Sequence, residues 1–582
     1  MLKLFKYLKP YIPHIILMLV LTYTQVMTSL ALPDYMAKIV NEGIVLENEK
    51  LILETGIAML LVTALGAICT IIISYISARI GNGFSKKLRA DMFSKVSNFS
   101  LAEMNKFSIA SLITRTTNDI QQVQMVIIML FRMVMSAPIM GIGAVLKAYN
   151  TAPSMTWIMG VAVAVLLTII AIVFKIAVPK FKLVQKLVDK LNQLTRQNLT
   201  GLRVIRAFNT EKYEEKRFDK ANRDLTDINL FINRIMVMMQ PIMMLILNIT
   251  MISIIWIGAH LVNTNDIQIG GMMAFMQYAM QVISSFLMLS MLFIIIPRAS
   301  VSAQRIVEVL DEKPSIRDPK KAKKPKKGIK KEDSILTFDN VTFKYPDADV
   351  PILHNISFNA KAGQTTAIIG GTGSGKSTVI NLIPRFFDVT SGQILIDGID
   401  IRDMKQEDLR EKIGYIPQKG VLFSGTIESN IKYGEPNAPE KEVKKAAKIA
   451  QADEFIEKLD KKYKSPIAQG GTNVSGGQKQ RLSIARAVVR KPDIYIFDDS
   501  FSALDFKTDA KLRKELKGVT KESIVIVVAQ RIGTILDAEQ IVVLDQGKIV
   551  GIGNHKELMK TCKIYKEIAL SQLSAKELNN GE

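Results

Sequence analysis

The chain has 582 residues, a formal charge of +22 and 48% apolar residues; it is too long for one compact core, and its apolar residues crowd into the first 300 positions, leaving a remainder that reads as a soluble domain. The basic residues flank apolar runs and fill one linker, the distribution of protein held against an anionic leaflet, which argues against nucleic acid as a partner. Cys69 and Cys562 are the two cysteines, which excludes a disulfide framework and a Cys-based metal centre.

In chain order, Lys3, Lys6 and Lys9 precede an apolar run at 11–32 that is too long, and too poor in small residues at its end, for a removable leader. Five more such runs follow at 55–78, 123–146, 153–174, 235–259 and 267–296. Each exceeds the roughly 20 residues a helix needs to cross about 30 Å of hydrocarbon. In lipid each must be helical, because its backbone groups have to be satisfied internally. Basic residues outnumber acidic ones in 79–119 and 175–234, whereas 34–54 is acidic on balance. Both termini are therefore expected in the cytoplasm.

Those two cytoplasmic segments are long for a helical bundle. The spacing of Leu202, Ile205, Phe208 and Phe218 among charges predicts that the helices continue beyond the bilayer. Their tips, 99–106 and 207–214, are candidate coupling helices, with solvated amphipathic helices as the alternative. The fifth and sixth runs are dense in methionine and aromatics, including Met238, Met239, Met243, Met244, Met272, Met273, Phe275, Met276, Tyr278, Met280 and Phe286. Such side chains suit a cavity for varied apolar molecules, and serve equally as packing filler. Arg132 inside the third run is either a functional charge or one that snorkels to the cytoplasmic interface. Between 311 and 334, paired lysines and prolines predict a tether that does not pack into a core and lies near the membrane surface.

The soluble half carries Gly370, Gly371, Thr372, Gly373, Ser374, Gly375, Lys376 and Ser377, then Thr378, after the apolar strand 366–369 and before a helix. This is a P-loop in its proper context. Its glycines let backbone N–H groups curl around phosphates, Lys376 neutralises charge and the Ser377 hydroxyl serves magnesium. A second apolar strand, 494–498, ends in Asp498, placed to hold magnesium through water. Ser475, Gly476, Gly477 and Gln478 open another helix, a second phosphate-binding device. If the two turns lie on opposite edges of the domain, they cannot serve one nucleotide, so two domains must sandwich it.

With these motifs the chain resembles the ATP-binding cassette (ABC) family, specifically half-transporters of the bacterial multidrug exporter type, over essentially its whole length. The Ser-Gly-Gly-Gln signature carries the resemblance, supported by Gln418 and by 422–427 after it. The resemblance implies an all-α polytopic membrane domain of six helices (1–310), the linker, and an α/β P-loop domain (335–575). It implies Tyr345 stacking on adenine, Gln418 ligating magnesium and sensing the coupling helices, and Ser502 to Asp505 crossing to a partner. The chain departs from the family at two places. Asp499 stands where strong sites have a glutamate that polarises the attacking water, and Gln530 replaces the histidine that contacts the γ-phosphate.

A carboxylate drawn back by roughly 1 to 1.5 Å can cost about a hundredfold in rate, and glutamine carries no positive charge. The departures resemble the degenerate half of heterodimeric exporters in the cell membrane: ATP and magnesium bound tightly but cut slowly here, with 475–478 completing the fast site of a homologous half-transporter. A homodimer that tolerates both changes is the alternative. Membrane lipids and an amphipathic small-molecule substrate are the other expected partners. The rival readings are a lipid flippase, a peptide exporter, or an ATP-sensing regulatory subunit.

Overall fold

The computed structural model describes residues 2–323 and 334–572. It forms two compact units, one of Met1–Ser97 with Ala110–Glu312 and one of Asn98–Ile109 with Lys313–Glu582. Among the described residues of the first unit, six helices are long and apolar enough to cross a membrane: Lys3–Ile44, Glu49–Ser97, Ile109–Thr151, Pro153–Thr200, Glu211–Asn263 and Ile269–Leu289. The last continues to Asp311. They cover five of the six apolar runs whole and the sixth from Ile269 onward, and they extend well beyond the runs. Glu49–Ser97, with 49 residues, is about 70 Å long, so over half of it extends beyond a hydrocarbon layer of about 30 Å.

Leu30, Ala144, Ala148, Phe275, Tyr278 and Val282 pack into one core that joins the first, third and last of these helices. At their outer ends polar bonds cross the same seams. Lys147 donates to Asp34 at 2.6 Å, and the Tyr278 hydroxyl donates to Asp34 and to the Leu30 carbonyl. Gly270 N–H donates to Asn41 at 2.7 Å, and an added Cβ there would come within 2.4 Å of the Ala37 carbonyl; only glycine allows that approach. The methionine-rich and aromatic stretch divides in two. Phe275, Tyr278 and Met243 are buried, whereas Met238, Met244 and Met280 are exposed.

The third spanning helix contains two π turns, Arg115–Asp119 and Leu130–Val134. Beside the first, Arg115 donates to the Arg305 carbonyl at 2.7 Å and to Glu308, and the buried Asp119 accepts from Ser302 at 2.9 Å. Within the second, Arg132 donates to the Ser74 hydroxyl of the second helix at 3.0 Å. The expected segment 207–214 is not a helix of its own. The short helix is Leu202–Ala207, with none of its residues buried. Gly201 caps the helix before it, and the chain turns through 208–210 into Glu211–Asn263.

In the second unit, helix Leu101–Phe107 occupies most of the expected segment 99–106, and Ser100 with Glu103 forms a capping box at its start. Glu103, only 5% exposed, also accepts from the Ser315 N–H at 3.1 Å. Burial would push its carboxyl up, but hydrogen bonds from Ser100 and Ser315 outweigh that and hold it below the usual range. The start of the linker is thus fastened to this helix. It is fastened again where Asp318 accepts from Gln406 and Lys323 donates to Asp403. These residues are held against their own unit and are not a free tether. Residues 324–333, which carry the later paired lysines, and 573–575, assigned to the end of the ATP-binding half, lie outside the described residues.

The soluble half is built on a six-stranded sheet in the order Lys548–Gly553, Gln540–Asp545, Thr365–Gly370, Ile524–Val528, Ile494–Asp498, Ile413–Ile416. All its pairings are parallel except the first. Strand Ile524–Val528 is fully buried and made of Ile and Val, as expected of a strand covered on both faces. Parallel register opposes Val528 to both Asp498 and Ile368. The segments that follow these strands therefore leave the sheet at one edge, where ligands bind in open α/β sheets.

Candidate nucleotide site

At that edge Gly370 ends its strand and Gly375, in left-handed conformation at φ 98°, caps the helix Lys376–Leu382. A Cβ on Gly375 would meet the Leu353 side chain at 2.6 Å, so both its conformation and its surroundings call for glycine. Lys376 reaches back to donate to the Gly370 and Gly371 carbonyls at 2.9 and 2.7 Å. Burial pulls its pKa down, and the nearby Asp499 and Asp498 oppose that pull. The Ser377 hydroxyl donates to Asp498 at 3.3 Å. Burial pushes the Asp498 carboxyl up, against the Ser377 hydrogen bond that pulls it down.

Gln418, in the loop after strand Ile413–Ile416, donates through Nε2 to Asp499 Oδ2 at 3.1 Å. Among the described residues, no hydrogen bond joins Gln418 to Ser377 or Asp498. Asp499 adopts a left-handed φ of 46°, and its N–H bonds the Val528 carbonyl at 2.9 Å. Tyr345 is half-buried, its ring edge-on to Phe343 and Phe387. Its hydroxyl lies 3.2 Å from that of Thr378, so Tyr345 stands beside the P-loop helix. Ser502 donates to the Asp499 carbonyl at 2.8 Å, and Asp505 caps the helix Phe506–Val519 by accepting from Thr508.

The signature lies elsewhere. Ser475 and Gln478 form a capping box on helix Gly476–Arg490, and Gly477 sits against the Ala503 carbonyl. Among the described residues, no hydrogen bond joins 475–478 to 370–378. Ser475 and Gly476 are exposed.

Residues 15–286 match the ABC transporter transmembrane region and 353–502 the ABC transporter domain. An uncharacterized ABC transporter ATP-binding protein of Mycobacterium tuberculosis is 39% identical over 97% of each chain. The chain belongs to the ABC transporter family. Another relative, the uncharacterized ABC transporter ATP-binding protein YfiB of Bacillus subtilis, is 36% identical over 98% of each chain. Among solved structures, a bacterial Atm1-family ABC exporter with ATP bound superposes with a TM-score of 0.80 at 27% identity, covering 98% of this chain and 99% of the other.

One residue of this ABC transporter chain that the motifs did not mark is Gln572, which holds the loop after strand Ile524–Val528. Gln530 is exposed, but its carbonyl accepts from Gln572 Nε2 at 2.8 Å, and Gln572 Oε1 accepts from Ile532 N–H at 2.9 Å. One amide at the end of helix Lys563–Gln572 thus fastens both sides of the loop that carries Gln530. Nothing in the sequence pattern marks it, because the pairing spans some forty positions. A neutral hydrogen bond contributes about 1 kcal/mol, a factor of about five in an opening equilibrium. In hydrogen exchange, Gln572→Ala should therefore speed exchange at the Ile532 amide about fivefold while the strand amides of 524–528 keep wild-type protection. Unchanged exchange at Ile532 would show that the clamp does not hold in solution.

Proposed function

We propose that this chain is one half of an ATP-driven exporter that moves amphipathic drugs or lipid-like compounds out of the cytoplasm or inner leaflet by alternating access. The observation that carries the reading is the single sheet edge where the P-loop, Asp498 and Asp499 meet, in a chain with six helices able to cross a membrane. ATP lies with its phosphates in the cradle of 370–378 and its adenine against Tyr345. Magnesium fits beside it, because Ser377 and the buried Asp498 already face each other at 3.3 Å. Among the described residues no group of three or more His, Cys, Asp or Glu could hold a metal. Magnesium binds through few protein oxygens together with phosphate and water. When bound it supplies charge neutralisation to the phosphate oxygens. Gln418, bonded here to Asp499, would be a further protein oxygen for that magnesium.

Hydrolysis at this chain's own site is slow. Asp499 is short and tied to Gln418, and Gln530 offers an amide in place of a cation. The exposed Ser475 and Gly476 face a homologous half and complete its faster site. Helix Leu202–Ala207, whose Val204 is 60% exposed and is followed by Phe208 at 75%, supports the same pairing: it offers apolar surface of the kind a second cassette covers. The test is ATP turnover of this chain alone against the chain co-purified with its partner. The pair should turn over at least tenfold faster per complex. Equal rates would end the proposed division of labour.

A further inference from the structure

Lipid tolerates exposed charge at membrane depth poorly, so polar side chains left uncovered along spanning helices mark a face turned to water or substrate. Arg132 stands near the middle of the third apolar run, in the π turn Leu130–Val134; such turns interrupt helices frequently at functional sites. Its side chain is exposed, and its guanidinium donates to Ser74 at 3.0 Å. That serine stands about one turn before the cytoplasmic end of the second apolar run, 55–78.

Toward the cytoplasm the same two helices carry a second polar group. Arg89 donates to Gln124 at 3.4 Å, and Gln124 donates to Asn82 at 3.0 Å. Arg89 and Asn82 are exposed. Both arginines thus bond neutral groups, and among the described residues neither is ion-paired. Arginine keeps its charge at any working pH and retains further N–H donors for an oxyanion.

We infer that this seam is an entry lane for amphipathic anions, whose carboxylate, sulfonate or phosphate passes from Arg89 at the mouth to Arg132 within the membrane. The inference rests on the exporter reading and narrows its substrate class. Lining by two arginines and three neutral polar residues favours negative substrates over cations of the same size.

The test uses inverted vesicles holding the full chain with its co-expressed partner. It follows ATP-dependent uptake of carboxyfluorescein, an anion, and of rhodamine 123, a cation on a similar ring system. Wild type should take up carboxyfluorescein. Arg132→Gln should lower that uptake at least tenfold without lowering rhodamine 123 uptake, Arg132→Lys should stay within about threefold of wild type, and Arg89→Gln should lower it about threefold. Equal loss of both dyes in Arg132→Gln and Arg132→Lys would assign Arg132 a purely structural role and overturn the lane. Uptake of rhodamine 123 alone by wild type would overturn the lane and leave the exporter reading standing. ATP-dependent uptake of neither dye would count against both.

Discussion

Gly476→Asp in this chain should lower ATP turnover of the assembled pair by two orders of magnitude or more, while this chain's own P-loop still binds nucleotide within about twofold of wild type. The separation of effects follows from the structure. A Cβ on Gly476 would meet nothing within 4 Å, so the new side chain has room. Gly476 also opens helix Gly476–Arg490, where a carboxylate near the N-terminus is favourable by about 0.3 to 1 kcal/mol. The substitution should therefore leave the melting temperature of the cassette unchanged or slightly raised. What it removes is the reception of a phosphate: a helix start that offers N–H groups to an anion instead presents a negative charge. A loss of about a hundredfold corresponds to about 2.7 kcal/mol of transition-state stabilisation, within the range of a misplaced charge in a water-excluded site. ATPase of the pair and labelled-nucleotide binding to this chain read the two quantities separately. Turnover within threefold of wild type would mean that 475–478 does not complete a partner's site.

The six spanning helices were legible because each is written in its own segment: a run of apolar residues of sufficient length has one solution in lipid. The α/β half was legible for a similar reason, since the strand around Ile368 and the strand ending at Asp498 are continuous apolar runs followed by glycine or acid. What stayed hidden depends on partners distant in sequence. Ser315 meets Glu103 across 212 positions, and neither residue is unusual in its own neighbourhood. The helix Leu202–Ala207 precedes the expected 207–214 because Gly201 sets the break. The apolar spacing of Leu202 and Ile205 continues through Phe208 without marking where the turn falls. The π turn under Arg132 is invisible because Leu130, Phe131, Met133 and Val134 fit an α-helix equally well. The sequence offered snorkelling or function for Arg132 without showing that its guanidinium bonds the Ser74 hydroxyl.

Asp499→Glu combined with Gln530→His should raise ATP turnover of this chain alone by about a hundredfold, the second large effect. The added methylene extends the carboxylate by roughly 1 to 1.5 Å, the scale of misplacement that separates productive from unproductive geometry. Glutamate can then keep the Gln418 bond, made now at 3.1 Å, with one oxygen while the other reaches toward the γ-phosphate side. Asp499 already occupies left-handed backbone at φ 46°, which aspartate tolerates better than most residues; glutamate there costs about 1 kcal/mol or somewhat more of strain. A hundredfold rate gain corresponds to about 2.7 kcal/mol off the barrier. The two figures act on different quantities, so a faster enzyme should also be a slightly less stable one, visible as a small fall in melting temperature. Histidine at 530 adds a ring N–H able to carry charge near neutral pH, on a loop that Gln572 already holds through backbone atoms, so the clamp survives the exchange. The single substitutions should each give part of the gain, because the acid orients water while the histidine meets phosphate charge. If the double variant stays at the wild-type rate in the isolated chain, these two positions are not what limits hydrolysis at this site.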